Sequence, residues 1–345
     1  MKSSSLTRVI PVPVIVGLLG GLVATLFWVL VTTEGSAVPQ KPHHVPVAVI
    51  GPAPAVAQLA AGLQRGGAFR VVATPTEASA KHLVDSRKAD AIINLDTRQL
   101  QTAQAASTLA PIVLQQIFSS PQSNLHLATS DIKPLTSGDP TPLGLFFITM
   151  SFVLGGIPAG VAFALTMKNR RPASVANAGV WVGVIAAYAI LQSLLIAVLA
   201  EVILGYEGHQ FLIIWGWGAL LTAACMGGTA AAIAAFGIAG ALLTAIPILF
   251  FGVPAAPVPS PWNFASGIFR VLGPFDPMGA TANGIRNGIF FRPASQAQNV
   301  WVLVVWTVVP LLLLAAVGWR SQRLAERSAV APAAAVPPVP LEQAA

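Results

Sequence analysis

Charged residues are scarce in this chain of 345 residues. Asp, Glu, Lys and Arg make up 9% of it, against roughly 25% in soluble domains, while hydrophobic residues make up 55%. So small a share of charge excludes an ordinary soluble globular protein of this length. The composition indicates an integral membrane protein.

Cysteine and phosphate-binding loops are also missing or nearly so. The one cysteine, Cys225, lies inside an apolar run, so an internal disulfide is excluded. The sequence contains no G-x-x-x-x-G-K-[ST], and Gly51-Pro52-Ala53-Pro54 does not match the dinucleotide fingerprint. We therefore expect this chain to bind no nucleotide by these routes and to use no cofactor.

The net charge of +7 does not form a nucleic-acid surface, because the basic residues flank apolar runs. Flanking positive charge is typical of cytoplasmic segments in membrane proteins. A nucleic-acid partner is therefore rejected, and the sequence predicts that both chain ends lie in the cytoplasm. The basic residues in question are Lys2 and Arg8, then Lys168, Arg170 and Arg171, and finally Arg320, Arg323 and Arg327.

Apolar runs long enough to cross a bilayer recur along the chain, since one helical crossing takes about 20 residues. The longest run is divided by a predicted tight hairpin near residues 231–237, and it supplies two crossings. We therefore predict an α-helical polytopic protein with six transmembrane helices. The runs are residues 9–31, 143–167, 175–204, 211–251 and 300–319.

Residues 34–142 gain charge, proline and glutamine, and short β-branched runs alternate there with helical stretches. This pattern predicts a small α/β domain with a mainly parallel sheet. Alternation of the helices places it outside the cytoplasm, between the first and second crossings. The predicted strands are 45–51, 69–74, 89–95 and 124–129, and the predicted helices are 53–65, 76–87 and 98–118.

The chain is thus expected to have four parts. Residues 1–33 form the cytoplasmic amino terminus and first helix, and residues 34–142 form the outer domain. Residues 143–320 form a five-helix membrane domain, and residues 321–345 form a disordered cytoplasmic tail rich in Ala and Pro.

A broken helical hairpin is predicted at residues 260–292. Its two amphipathic halves have about ten residues each, too few to cross, and Gly-Pro-Phe-Asp-Pro separates them. We expect the halves to lie in the outer interface or to dip in and return. Its basic residues Arg270, Arg286 and Arg292 either meet lipid headgroups or serve a gate or substrate entry, and Asp276 is a further candidate for the gate or pathway.

Two polar positions within 175–204 are candidates for the transport pathway. Gln192 lies near the midpoint, where a polar side chain either touches substrate or makes an interhelical hydrogen bond, and we favour the bond. Glu201 lies in the last outer turn and is a functional candidate by default, but it can reach the interface, which we favour.

No catalytic or metal site is predicted, and we do not expect an enzyme. His43 and His44 lack nearby Cys, His or acidic partners for a metal. Asp90 and Asp96 flank a predicted strand, but nothing else completes a catalytic set, and we interpret both as solvated strand ends.

Four stretches carry a resemblance to a known family, the type-2 ABC transporter permeases, in the branch of the phage-infection-protein-like membrane proteins. The order of one helix, an outer α/β domain and five helices with a broken hairpin is similar too. The outer domain is short and lacks the long coiled insert of some members. The stretches are Val47-Ala48-Val49-Ile50, Ala89-Asp90-Ala91-Ile92-Ile93, Asp139-Pro140 leading into Leu154-Gly155-Gly156-Ile157, and Phe269 to Ala280 with Asn283-Gly284-Ile285-Arg286.

The resemblance implies the membrane subunit of an ATP-driven exporter in a bacterial plasma membrane, moving a lipophilic or envelope-related substrate. It implies pairing with a second permease chain, as a homodimer or heterodimer, and a separate ATP-binding subunit on the cytoplasmic face. The alternative is a cell-envelope scaffold or receptor whose outer domain binds a wall or protein partner. The expected docking loop for the ATP-binding subunit contains Lys168, Arg170, Arg171, Ser174 and Asn177.

Overall fold

The computed structural model describes residues 41–120, 125–141, 143–256, 261–265, 267–291, 294 and 296–330. The predicted first crossing, 9–31, and the tail beyond residue 330 lie outside the described residues. What is described is a sheet domain followed by a long helical region.

The sheet domain has five strands in the order β2-β1-β3-β4-β5. The β3–β4 pair is antiparallel and the other pairs are parallel. The elements are β1 Val45–Ile50, α1 Ala53–Leu63, β2 Phe69–Ala73, α2 Glu77–Asp85, β3 Ala91–Asn94, β4 Gln99–Thr102, α3 Leu109–Phe118 and β5 Ala128–Asp131.

Side chains alternate across the sheet, as strand geometry requires. Val45, Val47 and Val49 of β1 are buried under α1 and α3 on one face. Ala48 and Ile50 are buried under α2 on the other. Helices therefore cover both faces, and the domain's core lies on either side of β1 and β3.

The predicted helix 98–118 is wrong over its first half. Residues Gln99–Thr102 instead form β4, which pairs with β3, and the chain reverses through Arg98 with φ at 53°. The pairing satisfies backbone groups along β3 that a helix would leave buried without partners. The last predicted strand is shifted as well, from 124–129 to Ala128–Asp131.

Four described helices are long and apolar enough to cross a membrane, which makes the chain a helical membrane protein by length and composition. These are α4, α5, α6 and α10. The fifth predicted crossing, α7, is shorter than these, and it follows a break at Gly237, where φ is 77°. The bounds are α4 Leu143–Thr166, α5 Val175–Leu204, α6 His209–Phe236, α7 Ile238–Pro254, α8 Gly267–Leu272, α9 Pro277–Phe290 and α10 Ala297–Val330.

Helix α6 is the most buried of the four long helices, and α4, α5, α9 and α10 all pack against it. Small residues allow the close approach. A β-carbon at Gly156 would lie 2.7 Å from Cys225 Cβ, and one at Gly160 would lie 2.6 Å from the Met226 carbonyl oxygen. Helix α5 instead exposes most of its Leu, Ile and Val side chains, and α10 exposes several of its own, as surfaces facing lipid do.

The broken hairpin has one half that is packed among other helices. Its second half, α9, has 14 residues and is buried among α4, α6, α7 and α10. Glycines on α9 permit this packing, because a β-carbon at Gly284 would lie 2.6 Å from the ring of Trp217. The predicted length of about ten residues is too short for α9, and close tertiary packing buries its polar side as well as its apolar side.

Candidate coupling site between the sheet domain and the helices

The sheet domain contacts the hairpin at the end of the sheet where strands β1 and β3 begin. Phe264 packs into the core on the α1 and α3 face, and Phe291 packs into the core on the α2 face. The His43 N–H also donates to the Asn263 carbonyl over 2.8 Å. The hairpin thus contacts both faces of the sheet at the amino-terminal ends of β1 and β3.

A buried charge cluster lies at this end of the sheet. Arg286 of α9 is only 4% exposed, and it lies within electrostatic range of Asp90, Arg87 and Tyr206. Asp90 is 6% exposed, and its Oδ1 lies 3.8 Å from Arg87 Nη1. Two expectations are therefore wrong: Arg286 does not reach lipid headgroups, and Asp90 is not a solvated strand end.

Burial is the largest cause of the pKa shifts of Asp90 and Arg87, the two members of this cluster that belong to the sheet domain. It raises the pKa of Asp90, although the positive charges of Arg87 and Arg286 oppose the rise. It lowers the pKa of Arg87, and Asp90 opposes that change. Asp90 and Arg87 are thus buried together with Arg286, each opposing the desolvation of the other, and removal of one member would leave an opposite charge buried without its neighbour.

Phe291 supplies the apolar contact of the joint. Its ring is 1% exposed, the Arg87 guanidinium carbon lies 4.7 Å from the ring centroid, and Lys133 Nζ lies 5.9 Å from it. Lys133 is held by Asp85 of α2 at 2.7 Å. Cations over the face of a buried ring add attraction to the hydrophobic contact, so Phe291 anchors the joint on the face that α2 covers.

A second buried group ties the domain's exit to the helices. Asp139 accepts from the N–H groups of Gly144 and Leu145, both over 3.1 Å, at the start of α4. The Tyr206 hydroxyl, in the loop between α5 and α6, donates to the same carboxylate over 3.0 Å. Burial, first, and the Asp139 charge raise the pKa of Tyr206, so it stays a donor.

The other charged residues of the hairpin have different surroundings. Asp276 is buried and caps α9, accepting from the N–H groups of Met278 and Gly279 over 2.8 and 3.1 Å. Arg270 is partly exposed on α8 and lies near His43. Asp276 therefore begins the buried helix, a local structural role that needs no substrate.

The pathway candidates on α5 are not part of the coupling site. Gln192 donates to the Ser151 carbonyl of α4 over 3.1 Å, an interhelical hydrogen bond of the favoured kind. Tyr188 donates to the Gly155 carbonyl of α4 over 3.2 Å. Glu201 is exposed near the end of α5.

The basic loop divides into exposed cations and a helix cap. Lys168, Arg170 and Arg171 are exposed. Ser174 Oγ accepts from the Asn177 N–H over 3.1 Å, and Asn177 Oδ1 accepts from the Ala173 N–H over 3.1 Å. Ser174 and Asn177 thus cap α5, which accounts for both side chains without a partner protein.

Sequence reasoning missed Arg87, Asp139, Tyr206 and Phe291. Only Asp139-Pro140 carried a signal, as a turn, and none of the four stands in a motif that indicates burial. In the described part of the chain, no group of three or more His, Cys, Asp or Glu residues could hold a metal ion.

No family model, curated protein or solved structure matches this chain. Its function is therefore argued from the coupling site and the arrangement of the helices.

Proposed function

We propose that this chain is the membrane subunit of an ATP-driven exporter of the type-2 ABC permease class. A separate ATP-binding subunit supplies hydrolysis, a second permease chain completes the pathway, and the substrate is lipophilic or envelope-related. The observation that supports this most is the joint at Arg286, Asp90 and Phe291. One hairpin is packed among the membrane helices and clamped to the sheet domain, so a rearrangement of the helices would move the domain.

The proposed orientation rests on the basic residues. A β-carbon at Gly318 of α10 would lie 2.5 Å from the Ser174 carbonyl oxygen, so the loop at 168–171 and the start of the Arg320, Arg323 and Arg327 segment lie at the same end. Positive charge marks that end as cytoplasmic. The sheet domain then lies outside a bacterial plasma membrane, with six crossings and both chain ends inside.

Cysteine labelling tests this orientation in a Cys225→Ala background. Ala78, exposed on α2, and Ala173, exposed in the basic loop, are uncharged positions whose replacement leaves the orienting charges in place. We expect Ala78→Cys to react with a membrane-impermeant maleimide in intact cells. Ala173→Cys should react only after permeabilisation, and the reverse pattern would contradict the proposed topology.

The docking loop is tested by modifying the folded protein. Lys168, Arg170 and Arg171 orient the helices during insertion, so docking must be blocked afterwards. We expect a bulky polyethylene glycol maleimide on Ala173→Cys to reduce co-purification of an ATP-binding protein at least fivefold. The same label on His209→Cys, exposed at the start of α6 and beyond the other end of α5, is the control and should change co-purification little.

The same experiment separates exporter from scaffold. Two results together would replace the exporter proposal by the scaffold or receptor alternative. One is that no ATP-hydrolysing protein co-purifies with the unmodified chain, and the other is that the reconstituted chain shows no ATP-dependent transport. If an ATPase binds equally well to labelled and unlabelled chains, docking lies elsewhere and the basic loop serves orientation alone.

A further inference from the structure

An elongated groove lies between α1 and α3 of the sheet domain, on the side away from Phe291. Its volume is about 970 Å³, at the upper end of the roughly 300–1,000 Å³ of small-molecule sites. We call it the α1–α3 groove. It follows α1 from Pro52, just after β1, to Arg65 and Phe69, beside the start of β2. Helix α1 has 11 residues and is therefore about 16 Å long.

The groove reaches the position where open α/β sheets bind ligands. Helices α1 and α2 leave the sheet on opposite faces, so the connections diverge between β1 and β3. Ligands of such sheets sit outside the carboxyl ends of the strands at this point. Pro52 and Leu95, which follow β1 and β3, both line the groove.

Its walls are apolar and partly open. Leu59 and Leu63 of α1 face Ile117 and Phe118 of α3 across it. Ile117 is 37% exposed, and in the described sheet domain only Ile112 is another exposed large aliphatic side chain. Ile117 thus adds exposed apolar area to a concave site, and concave sites that combine apolar side chains with a few polar groups are typical of ligand binding.

Charge distinguishes the two ends of the groove. Arg98 lies at the far end of the groove with Asp96 beside it. Arg65 lies at the end near the hairpin, and no acidic residue of the lining is at that end. Among the described residues no ion pair involves Arg65. A groove that follows α1, with Leu59 and Ile117 in its walls and the Arg65 guanidinium at one end, fits a chain-like ligand with an anionic head.

We infer that the α1–α3 groove binds a single-chain anionic amphiphile, with its carboxylate or phosphate head at Arg65 and its alkyl chain between Leu59 and Ile117. The elongated shape accepts one chain. The guanidinium selects an anionic head over a neutral one. Binding uses neither ATP nor a second subunit, so the inference stands apart from the exporter proposal.

The test uses the full chain in phosphatidylcholine nanodiscs and a dodecanoate probe with a diazirine near its chain end. We expect saturable labelling of peptides from residues 53–69 and 109–118. Unlabelled dodecanoate should compete at least tenfold better than neutral dodecyl maltoside. Decanoate, two methylenes shorter, should compete about fifteenfold less well than dodecanoate, because each buried methylene changes affinity about fourfold.

Matched variants locate the two parts of the site. We expect Arg65→Gln to weaken competition at least tenfold and Ile117→Asp to abolish groove labelling. Arg70→Gln and Ile112→Asp, equivalent changes at exposed positions outside the groove, should leave both unchanged.

Several results would overturn the inference. These are labelling confined to the membrane helices, equal competition by the neutral amphiphile, or full labelling of a folded Ile117→Asp protein. Loss of competition in Arg98→Gln but not in Arg65→Gln would overturn the assigned position of the head group.

Discussion

Phe291→Ala should release the sheet domain from the hairpin and lower the free energy of unfolding of the domain by about 3–5 kcal/mol, the usual cost of removing a buried Phe side chain. The ring is fully packed against Ala48 and Val84 and is covered by two cations. Phe264 and the His43–Asn263 hydrogen bond remain at the joint, but Phe264 packs on the opposite face, so the loss falls on the face that α2 covers. Hydrogen exchange of β1 and α2 should rise accordingly.

The control is Phe275→Ala, which removes the same side chain from the same hairpin at a position that is 61% exposed. Its exchange pattern should match the unaltered protein. Equal protection of β1 and α2 in Phe291→Ala and Phe275→Ala would show that Phe291 does not secure the domain, and the coupling site would lose its main support.

Gly160→Val should prevent α4 from packing on α6 and destabilise the folded helices by at least about 3 kcal/mol, the upper range for overpacking. A β-carbon there would lie 2.6 Å from the Met226 carbonyl oxygen and 2.8 Å from Thr229 Cβ. A backbone oxygen on the central helix cannot rotate away as a side chain can. In fluorescence-detected size exclusion after heating, the variant should lose its monodisperse peak at a lower temperature than the unaltered protein.

Gly183→Val makes the same change on α5, where a β-carbon meets nothing within 4 Å. It should behave as the unaltered protein does. If the two valine variants lose their peaks at the same temperature, close α4–α6 packing does not limit stability.

The sequence predicts the elements whose pattern is local. The ends of α5 at Val175 and Leu204 are marked by Ser174, which caps its start, and by Gly205, whose φ of 70° ends it. The runs that form β1 and β3 are equally plain, since a β-branched run between turns indicates a strand. Such signals need no knowledge of distant residues.

The failures occur where distant parts of the chain decide the outcome. β4 is a strand because β3 offers it a partner, although its residues also fit a helix. Asp90 is buried because Arg286 and Phe291, far along the chain, close over the end of the sheet where β1 and β3 begin. α9 combines polar side chains with glycines, a pattern shared by surface helices, and it is packing against α4, α6, α7 and α10, including Trp217 of α6, that buries it.

The hairpin contacts both faces of the sheet at the end where β1 and β3 begin, so the domain and the hairpin should move as one rigid unit. Strand β1 has six residues and is about 20 Å long. Phe264 and Phe291 hold the domain from opposite faces, so it has little freedom to pivot on the hairpin and must follow it. A ten-degree tilt of the hairpin would therefore move the opposite end of the sheet, where Pro52 and Leu95 follow β1 and β3, through roughly 3 to 4 Å.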